Sequence, residues 1–361
     1  MKILGVFIAV ALSVPALVSA DVIATTPAVG YQKLIARGAS DSLLGIPLVK
    51  RPVFTAHVTA VSANTVTVSA PSISDGAYTP TASGSYYLQF VTGNLSGLCF
   101  PIQGNASAVL TLDTDGEDLT NHPLGSVTLG ATGDVVRVRP SWRVADVLGA
   151  DAASLLIDPV TSLPTGPYVG GDAVLLPDVS LSGTDKQAAA TLYYVSGTGW
   201  RAAGDVTTDA GSTRLPPGRT FTIRRHADIA SEIIILGDAP TETFRLKIPA
   251  LTAGQDMDFA VSLAQPVSST LSLSGLFSST DGQGVMNASA TATEAGDLFL
   301  EFDAAREGLA LPSAHRYHVF GTSWFDGSTP ADDHPLLPGA GYVLRLRGEH
   351  SERYWVQLPA N

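Results

Sequence analysis

Three aspartates around one glycine are the first residues of this sequence that could do chemistry. Asp113, Asp115 and Asp118 surround Gly116 in the stretch DTDGED. Carboxylates at alternate positions can wrap a calcium ion, and glycine permits the sharp turn that such a loop needs. The twelfth position counted from Asp113 is Leu124 and not the glutamate of an EF-hand. Calcium is therefore a candidate cofactor, and the alternative is an aspartate-rich turn after the strand AVLTL.

A second group combines imidazoles with carboxylates. His315, His318, Asp332, Asp333 and His334 lie within 20 residues, and both side-chain types bind zinc. His315 and His318 are three positions apart on a predicted strand, so their side chains are expected on opposite faces. This spacing argues against a shared ion, and calcium stays the only metal candidate.

Two tryptophans end two similar phrases, YVSGTGW at Trp200 and HVFGTSW at Trp324. Exposed tryptophans could stack on sugar rings, whereas buried ones would close a hydrophobic core, since each large aromatic side chain buries about 150–250 Å². Because they occupy matching places in two copies of one phrase, we expect both to be structural.

Familiar catalytic motifs are missing from the sequence. It contains neither a Gly-x-Ser-x-Gly elbow nor His-Glu-x-x-His. A carboxylate pair such as Asp332-Asp333 could serve a glycosidase, but 33 acidic residues make such pairs common by chance. We expect a non-catalytic structural or binding module, and the alternative is a carbohydrate-binding or carbohydrate-active protein.

The net charge and the cysteine content of the sequence further limit which functions and cross-links are expected. The formal charge is −12, from 21 basic and 33 acidic residues. Nucleic-acid binding is therefore not expected, because phosphates repel an acidic surface. Cys99 is the one cysteine, so no internal disulfide can form, and we expect it to be a buried small hydrophobic residue.

The first 20 residues, MKILGVFIAVALSVPALVSA, predict a secretory signal peptide over 1–20. A basic residue precedes an apolar run, and Val18-Ser19-Ala20 fits a cleavage site. The run is shorter than the ~20 residues of a spanning helix. We expect an exported protein in the periplasm, at the cell surface or outside the cell. It would have no transmembrane segment, and its candidate partners are polysaccharides and other surface proteins.

Most of the sequence alternates between apolar and polar residues. Runs such as TVTVSA, DVVRVRP, FTIRR and GYVLRLR are rich in β-branched residues and are separated by Gly, Asn and Asp. This pattern predicts half-buried strands joined by turns, and hence an all-β fold. The best helical candidate, Trp142 to Leu156, amounts to a turn or two.

The similar phrases belong to a longer internal repeat. The first copy contains Gly171-Asp172, Tyr193, Val195, Trp200, Pro217-Gly218, Phe221 and Arg224, which match Gly296-Asp297, Tyr317, Val319, Trp324, Pro338-Gly339, Tyr342 and Arg345. A fainter upstream echo aligns Asp41, Leu44, Ile46 and Leu48 with Asp256, Phe259, Val261 and Leu263. The preserved order predicts two duplicated antiparallel β-sandwich-like units.

The first copy is longer than the second because of an insert. Residues 54–140 contain about six short strands and predict a small SH3/OB-like β-barrel, inserted where a surface loop tolerates it. We therefore predict a first β unit over 21–53 plus 141–240, the barrel over 54–140, and a second β unit over 241–361.

One resemblance rests on the order of several stretches. These are AVGYQKLIARGASDSLLGIPLVKRPVFTAHVTAVSANTVTV, YYLQFVTGNLSGLCFPI, LTLDTDGEDL, GDVVRVRPSWRVADVL, YYVSGTGWR and LPPGRTFTIRR. In that order they resemble an uncharacterised family of exported proteins that is numerous in verrucomicrobial bacteria. The resemblance covers nearly the whole mature chain and implies an exported all-β protein. It implies no established activity, so no catalytic residues carry over. Where the family tends to have strand Trp or Tyr, this chain has His318 and Phe320.

Overall fold

A computed structural model describes most of the chain: residues 28–69, 72–81, 84–115, 117, 119–164, 171–179, 182–280, 284–291, 295–303 and 306–359. The predicted signal peptide lies outside these residues. Strands make up 45% of the described residues and helices 3%, which confirms the all-β prediction. In the part of the chain described, no helix has the length and apolar character needed to cross a membrane.

Two strands, β1 (Val29–Ala36) and β2 (Asp41–Gly45), lead into a closed six-stranded barrel. The barrel strands are β3 (Phe54–Ser62), β4 (Thr65–Val68), β5 (Tyr86–Phe90), β6 (Cys99–Ala106), β7 (Val109–Leu112) and β8 (Val135–Pro140), closed in the order β3-β4-β7-β6-β5-β8. A short 3₁₀ helix spans Leu124–Ser126. Phe90 and Phe100 meet edge to face inside the barrel, with ring centroids 5.8 Å apart. This packing supplies a core of its own for the barrel.

The chain enters and leaves the barrel at adjacent positions. The Val53 N–H donates to the Val138 carbonyl at 2.8 Å, and the Ser141 N–H donates to the Ser85 carbonyl at 2.8 Å. All six barrel strands pair within the closed barrel. No barrel strand therefore pairs with a strand of the sheets outside the barrel.

The first unit surrounds the barrel in sequence. After the barrel come β9 (Trp142–Arg143), α1 (Val144–Leu148), β10 (Ala173–Pro177), β11 (Ala188–Val195), β12 (Gly199–Ala202), β13 (Arg214–Leu215), β14 (Thr220–Arg224) and β15 (Ser231–Asp238). The main sheet has the order β12-β11-β10-β14-β2, β1 and β15 form a ribbon, and β9 pairs with β13. Apolar residues of the sheet and the ribbon face each other and form one core.

The second unit follows without interruption. Its strands are β16 (Phe244–Ile248), β17 (Asp256–Ser262), β18 (Ser269–Thr270), β19 (Leu298–Glu301), β20 (His315–Phe320), β21 (Ser323–Asp326), β22 (Thr329–Pro330), β23 (Pro335–Leu336), β24 (Gly341–Arg347) and β25 (Arg353–Gln357). The main sheet has the order β17-β24-β19-β20-β21-β22, β16 pairs with β25, and β18 pairs with β23.

The two units have the same arrangement of strands. Read from β2 and from β17, the main sheets run β2-β14-β10-β11-β12 and β17-β24-β19-β20-β21, and every neighbouring pair is antiparallel. The ribbon and the short strand pair also have counterparts. Residues at the same place in the two pairing registers are called equivalent below.

These registers correct two details of the sequence alignment, the first at the hairpin. Val174 pairs with Leu192 and Phe299 pairs with Tyr317, so the equivalent of Tyr317 is Leu192 and not Tyr193. The first hairpin turns through three residues and the second through two, so Ser196 is an extra residue. Because side chains alternate between faces, this shift by one residue puts Tyr193 and Tyr317 on opposite faces of their sheets.

The second correction concerns the upstream echo. Arg224 pairs with Asp41 and Arg345 pairs with Asp258, so the equivalent of Asp41 is Asp258 and not Asp256. A strand repeats its facing every two residues. A sequence match that is wrong by two positions therefore keeps the same pattern and goes unnoticed.

The units contact one another through reciprocal hydrogen bonds between equivalent groups. The Gly45 N–H donates to the Gly339 carbonyl at 3.0 Å, and the Ser262 N–H donates to the Gly218 carbonyl at 2.9 Å. Such reciprocity is the mark of a two-fold, isologous interface, here between two parts of one chain.

The barrel packs on the second unit. Cys99 contacts the core of that unit, and the Arg245 N–H donates to the Gly97 carbonyl at 3.0 Å. The Tyr354 hydroxyl donates to Glu117 at 3.2 Å. Burial raises the pKa of the Cys99 thiol to about 12, so this cysteine is a poor nucleophile.

Candidate functional site

A cavity of about 550 Å³ opens between the two units. We call it the inter-unit cavity. The first unit lines it with residues of β1 and β2, among them Lys33, Ile35, Arg37, Asp41 and Leu43, and the second unit with Glu301, His315, His334, Leu337 and Tyr342. Its volume lies within the ~300–1,000 Å³ typical of ligand pockets.

Five polar side chains of the second unit contact one another: Glu301, His315, Tyr317, Asp326 and His334, here called the polar cluster. Of these, Glu301, His315 and His334 line the cavity. The Tyr317 hydroxyl donates to Glu301 Oε2 at 2.9 Å, and His334 Nε2 lies 2.8 Å from the same oxygen. His315 Nδ1 lies 2.7 Å from Asp326 Oδ2. The Tyr317 ring contacts both imidazoles, at centroid distances of 5.8 and 4.7 Å.

Three neighbouring strands place these groups together. Glu301 ends β19 and pairs with His315, which begins β20, and Tyr317 pairs with Asp326, which ends β21. His334 precedes β23 and reaches the same end of the core. Tyr317 itself is almost fully buried, whereas the His315 side chain is 47% exposed. The cluster therefore runs from the core to the cavity opening.

Four cluster positions have equivalents in the first unit, and all four are apolar there. For Glu301, His315, Tyr317 and Asp326, the equivalents are Leu176, Ala190, Leu192 and Ala202. Those four residues belong to the core of the first unit or pack against it. The same strand arrangement thus forms without polar groups at these places, so the fold does not require them.

Two phenols, Tyr317 of the cluster and Tyr342 of the cavity wall, stay protonated and can donate. Burial raises the pKa of Tyr317, and the hydrogen bond to Glu301 adds to the effect. Burial also raises the pKa of Tyr342, whose hydroxyl accepts a bond from the Leu337 N–H at 2.7 Å. Glu301 is thus held by a neutral donor on one side and an imidazole on the other.

A second, smaller cavity of about 430 Å³ adjoins the first. Two equivalent ion pairs flank it: Arg224 donates twice to Asp41, at 2.7 and 2.6 Å, and Arg345 donates twice to Asp258, at 2.7 Å each. The hydrogen bonds to Asp258 raise the pKa of Arg345. Burial lowers the pKa of Lys186, which also lines this cavity.

The predicted calcium loop is described only in part, because Asp118 and Gly116 lie outside the described residues. Asp113 Oδ1 accepts a hydrogen bond from the Asp115 N–H at 3.2 Å, as in an Asx turn. No three His, Cys, Asp or Glu side chains within the described ranges are placed to share a metal ion. Calcium at Asp113, Asp115 and Asp118 stays a prediction.

The histidine and aspartate group divides between the two faces of its sheet. His315 and His334 join the polar cluster, with ring centroids 6.1 Å apart. His318 is buried against Phe325, with centroids 5.9 Å apart. Asp332 accepts the Trp324 N–H at 2.9 Å.

Trp200 and Trp324 are both buried, with 1% and 2% of their surface exposed. Trp200 belongs to the core of the first unit and Trp324 to that of the second. The Trp200 indole N–H donates to the Gly149 carbonyl at 2.8 Å. Neither indole can offer a platform to a sugar.

Sequence reasoning missed the role of the repeated Gly-Asp motif. Asp172 and Asp297 are buried, at 0% and 1% exposure. Asp172 accepts the N–H groups of Asp158 and His226, each at 2.7 Å. Asp297 accepts those of Asn287 and Arg347, at 2.6 and 2.7 Å. Each carboxylate thus joins the end of a main-sheet strand to an incoming loop.

In the comparisons with known proteins, no family model, no curated protein and no solved structure matches this chain.

Proposed function

We propose that this protein is an exported, non-catalytic binding module whose ligand occupies the inter-unit cavity. The observation that carries the proposal is the polar cluster, which replaces four apolar residues of the first unit with hydrogen-bonding groups. Burying polar groups costs free energy unless they are paired. A cluster that the fold does not need, with three of its members lining a cavity, is best explained by a ligand.

We further infer that the two units arose by duplication and that the second one diverged to form the site. The matching strand order and the reciprocal contacts of equivalent groups support this. Under this proposal the domains are those predicted from the sequence, with the barrel of 54–140 inserted in the first unit. The first unit keeps the apolar version of the cluster positions and lends its β1 and β2 to the opposite wall.

The charged side chains of the polar cluster favour binding over catalysis, because each is already held by another member of the cluster. Glu301 Oε2 is shared between Tyr317 and His334, and Asp326 is held by His315. These contacts orient the imidazoles and the carboxylates as fixed donors and acceptors, which is what a recognition site requires. A carbohydrate is the leading ligand class, because hydroxyl groups pair with imidazole and carboxylate alike.

The test replaces four residues of the polar cluster with their apolar equivalents from the first unit. The variant Glu301→Leu, His315→Ala, Tyr317→Leu, Asp326→Ala should fold, since the first unit folds with these residues. The mature wild-type protein is screened on a glycan array and by thermal shift with oligosaccharides. We expect a ligand that binds the wild type and not the variant. The control is His318→Tyr, which installs the equivalent of Tyr193 outside the cavity. A ligand that binds both variants equally would show that the site lies elsewhere.

A further inference from the structure

We infer that the ligand of the inter-unit cavity is an acidic sugar, with a carboxylate or sulfate group held by Arg37 and Arg306. This inference rests on the proposed function. The two arginines come from opposite walls, Arg37 from the first unit after β1 and Arg306 from the second unit after β19. A ligand between them would be held by both units at once.

The observation behind this inference is that other charged side chains of the cavity have ionic partners, whereas Arg37 and Arg306 have none among the described residues. Lys33 pairs with Glu232, Asp41 pairs with Arg224, and Glu301 pairs with His334. Within the part of the chain that the structure describes, the guanidinium groups of Arg37 and Arg306 form no ion pair. Asp303 lies at the exposed rim and makes contacts of its own.

Among the described residues, Arg37 and Arg306 bring two guanidinium groups without an ionic partner to one cavity of an acidic protein. The chain has 33 acidic and 21 basic residues, so a cation has many carboxylates to pair with. Guanidinium presents a planar fork of donors that matches a carboxylate, sulfate or phosphate with two parallel hydrogen bonds. Two such forks in one cavity therefore indicate an anionic group on the ligand.

The other residues that line the cavity indicate the chemical character of the rest of the ligand. Ile35, Leu43 and Leu337 provide apolar surface, while Glu301 and His334, which pair with each other, add a polar edge. Sugar rings combine apolar C–H faces with hydroxyl edges and match such mixed walls. The half-exposed His315 ring, stacked on Tyr317, adds a planar surface at the opening.

The experiment compares three probes by isothermal titration calorimetry with the mature protein: a galacturonic acid trimer, a sulfated galactose trimer and the neutral galactose trimer of the same length. We expect at least one acidic trimer to bind about tenfold more tightly than the neutral one, and its affinity to fall as salt is raised. The difference between the two acidic trimers decides between carboxylate and sulfate.

Variants assign the effect to the two arginines. Arg37→Gln and Arg306→Gln should each weaken the acidic trimer about tenfold and leave the neutral trimer unchanged, and Arg37→Lys should retain part of the affinity. The control is Arg214→Gln, an exposed arginine of β13 outside the cavity, which should change nothing.

Two outcomes would overturn this inference and leave the proposed function intact. One is a neutral trimer that binds as tightly as the acidic ones, with no effect of the arginine variants. The other is a ligand from the screen that carries no anionic group and loses binding in the four-residue cluster variant. If no ligand of any kind depends on the polar cluster, the proposed function fails as well.

Discussion

Gly45 and Ser262 are equivalent residues of the two units, and they lie directly against each other. Each occupies the last position of its edge strand, and a Cβ atom built on Gly45 would fall 2.2 Å from the Ser262 Cβ. Contact between equivalent residues places them beside the local two-fold axis. One of the two has to be glycine, because two side chains do not fit.

The first prediction tests this contact. Gly45→Ala should destabilise the protein by about 1–3 kcal/mol, as overpacking of a close contact does, and Ser262→Gly in the same chain should recover part of the loss. Urea unfolding of both single variants and the double variant measures the coupling. Gly125→Ala is the control, since no atom lies within 4 Å of its Cβ position. Additive effects of the two substitutions would contradict the assignment.

The buried tryptophans lead to a second prediction. Trp200→Ala and Trp324→Ala should each cost about 3–5 kcal/mol, as for other large buried aromatic side chains. Thermal and urea unfolding measure the change. The exposed Val206 (66% exposed) is the control, and Val206→Ala should stay within about 0.5 kcal/mol of the wild type. If either tryptophan variant keeps the wild-type melting temperature, the core role is wrong.

A third prediction concerns the buried carboxylates of the Gly-Asp motif. Asp172→Ala and Asp297→Ala each leave two backbone N–H groups without an acceptor, at a cost of about 1–3 kcal/mol for each group. Asp→Asn keeps one acceptor oxygen and should therefore cost less than Asp→Ala at both positions. Equilibrium unfolding of the four variants checks this order. Equal losses for Asn and Ala would mean that charge matters and the hydrogen bonds do not.

The fourth prediction is that the ionised carboxylate of Asp146 contributes to the pH dependence of stability. Burial alone would raise the pKa of this carboxyl, but hydrogen bonds from Arg143 and Lys50 outweigh burial and lower it from its ordinary 3.8. The folded state then binds the proton less readily than the unfolded state. The stabilisation is complete above the ordinary pKa and is lost as pH falls below about 4.

The measurement is urea unfolding of wild type and Asp146→Asn at a series of pH values. The variant should be less stable at neutral pH and should lose less stability than the wild type as the pH is lowered from about 4. Parallel curves for the two proteins would rule out this source of acid sensitivity.

The fifth prediction concerns the barrel. Replacing residues 54–140 with a short Gly-Ser bridge should leave both main sheets intact, because no barrel strand pairs with them. The shortened protein should nevertheless be less stable, since Arg139 contacts the buried Asp238 at 3.8 Å and Glu117 bonds Tyr354. Circular dichroism and thermal unfolding report the two effects. Loss of strand signal would mean that the host needs the barrel to fold.

Part of the site could have been read from the sequence. The sequence identifies His315 and His334 as candidate site residues, because they are imidazoles close together in the chain. It does not identify Glu301, Tyr317 and Asp326. These three residues could have been found where a polar residue of the second unit aligns with an apolar residue of the first. The sequence alignment did not show this for Tyr317, because a shift by one residue matched it to Tyr193 instead of Leu192.

The sequence by itself determined the class of fold. Period-two alternation specifies strands locally, and glycines such as Gly197 and Gly321, at φ of +74° and +63°, specify where a hairpin turns. These signals depend only on neighbouring residues, so they can be read without a structure. The order of the matched phrases then predicted two similar units.

Only the tertiary structure decided which face each residue takes and which residues meet. One extra residue in a turn inverts the facing of a strand, and nothing in the local pattern records this. Arg37 and Glu301 line one cavity although 264 positions separate them in the chain. Their proximity follows from the packing of one unit on the other, which no local sequence pattern specifies.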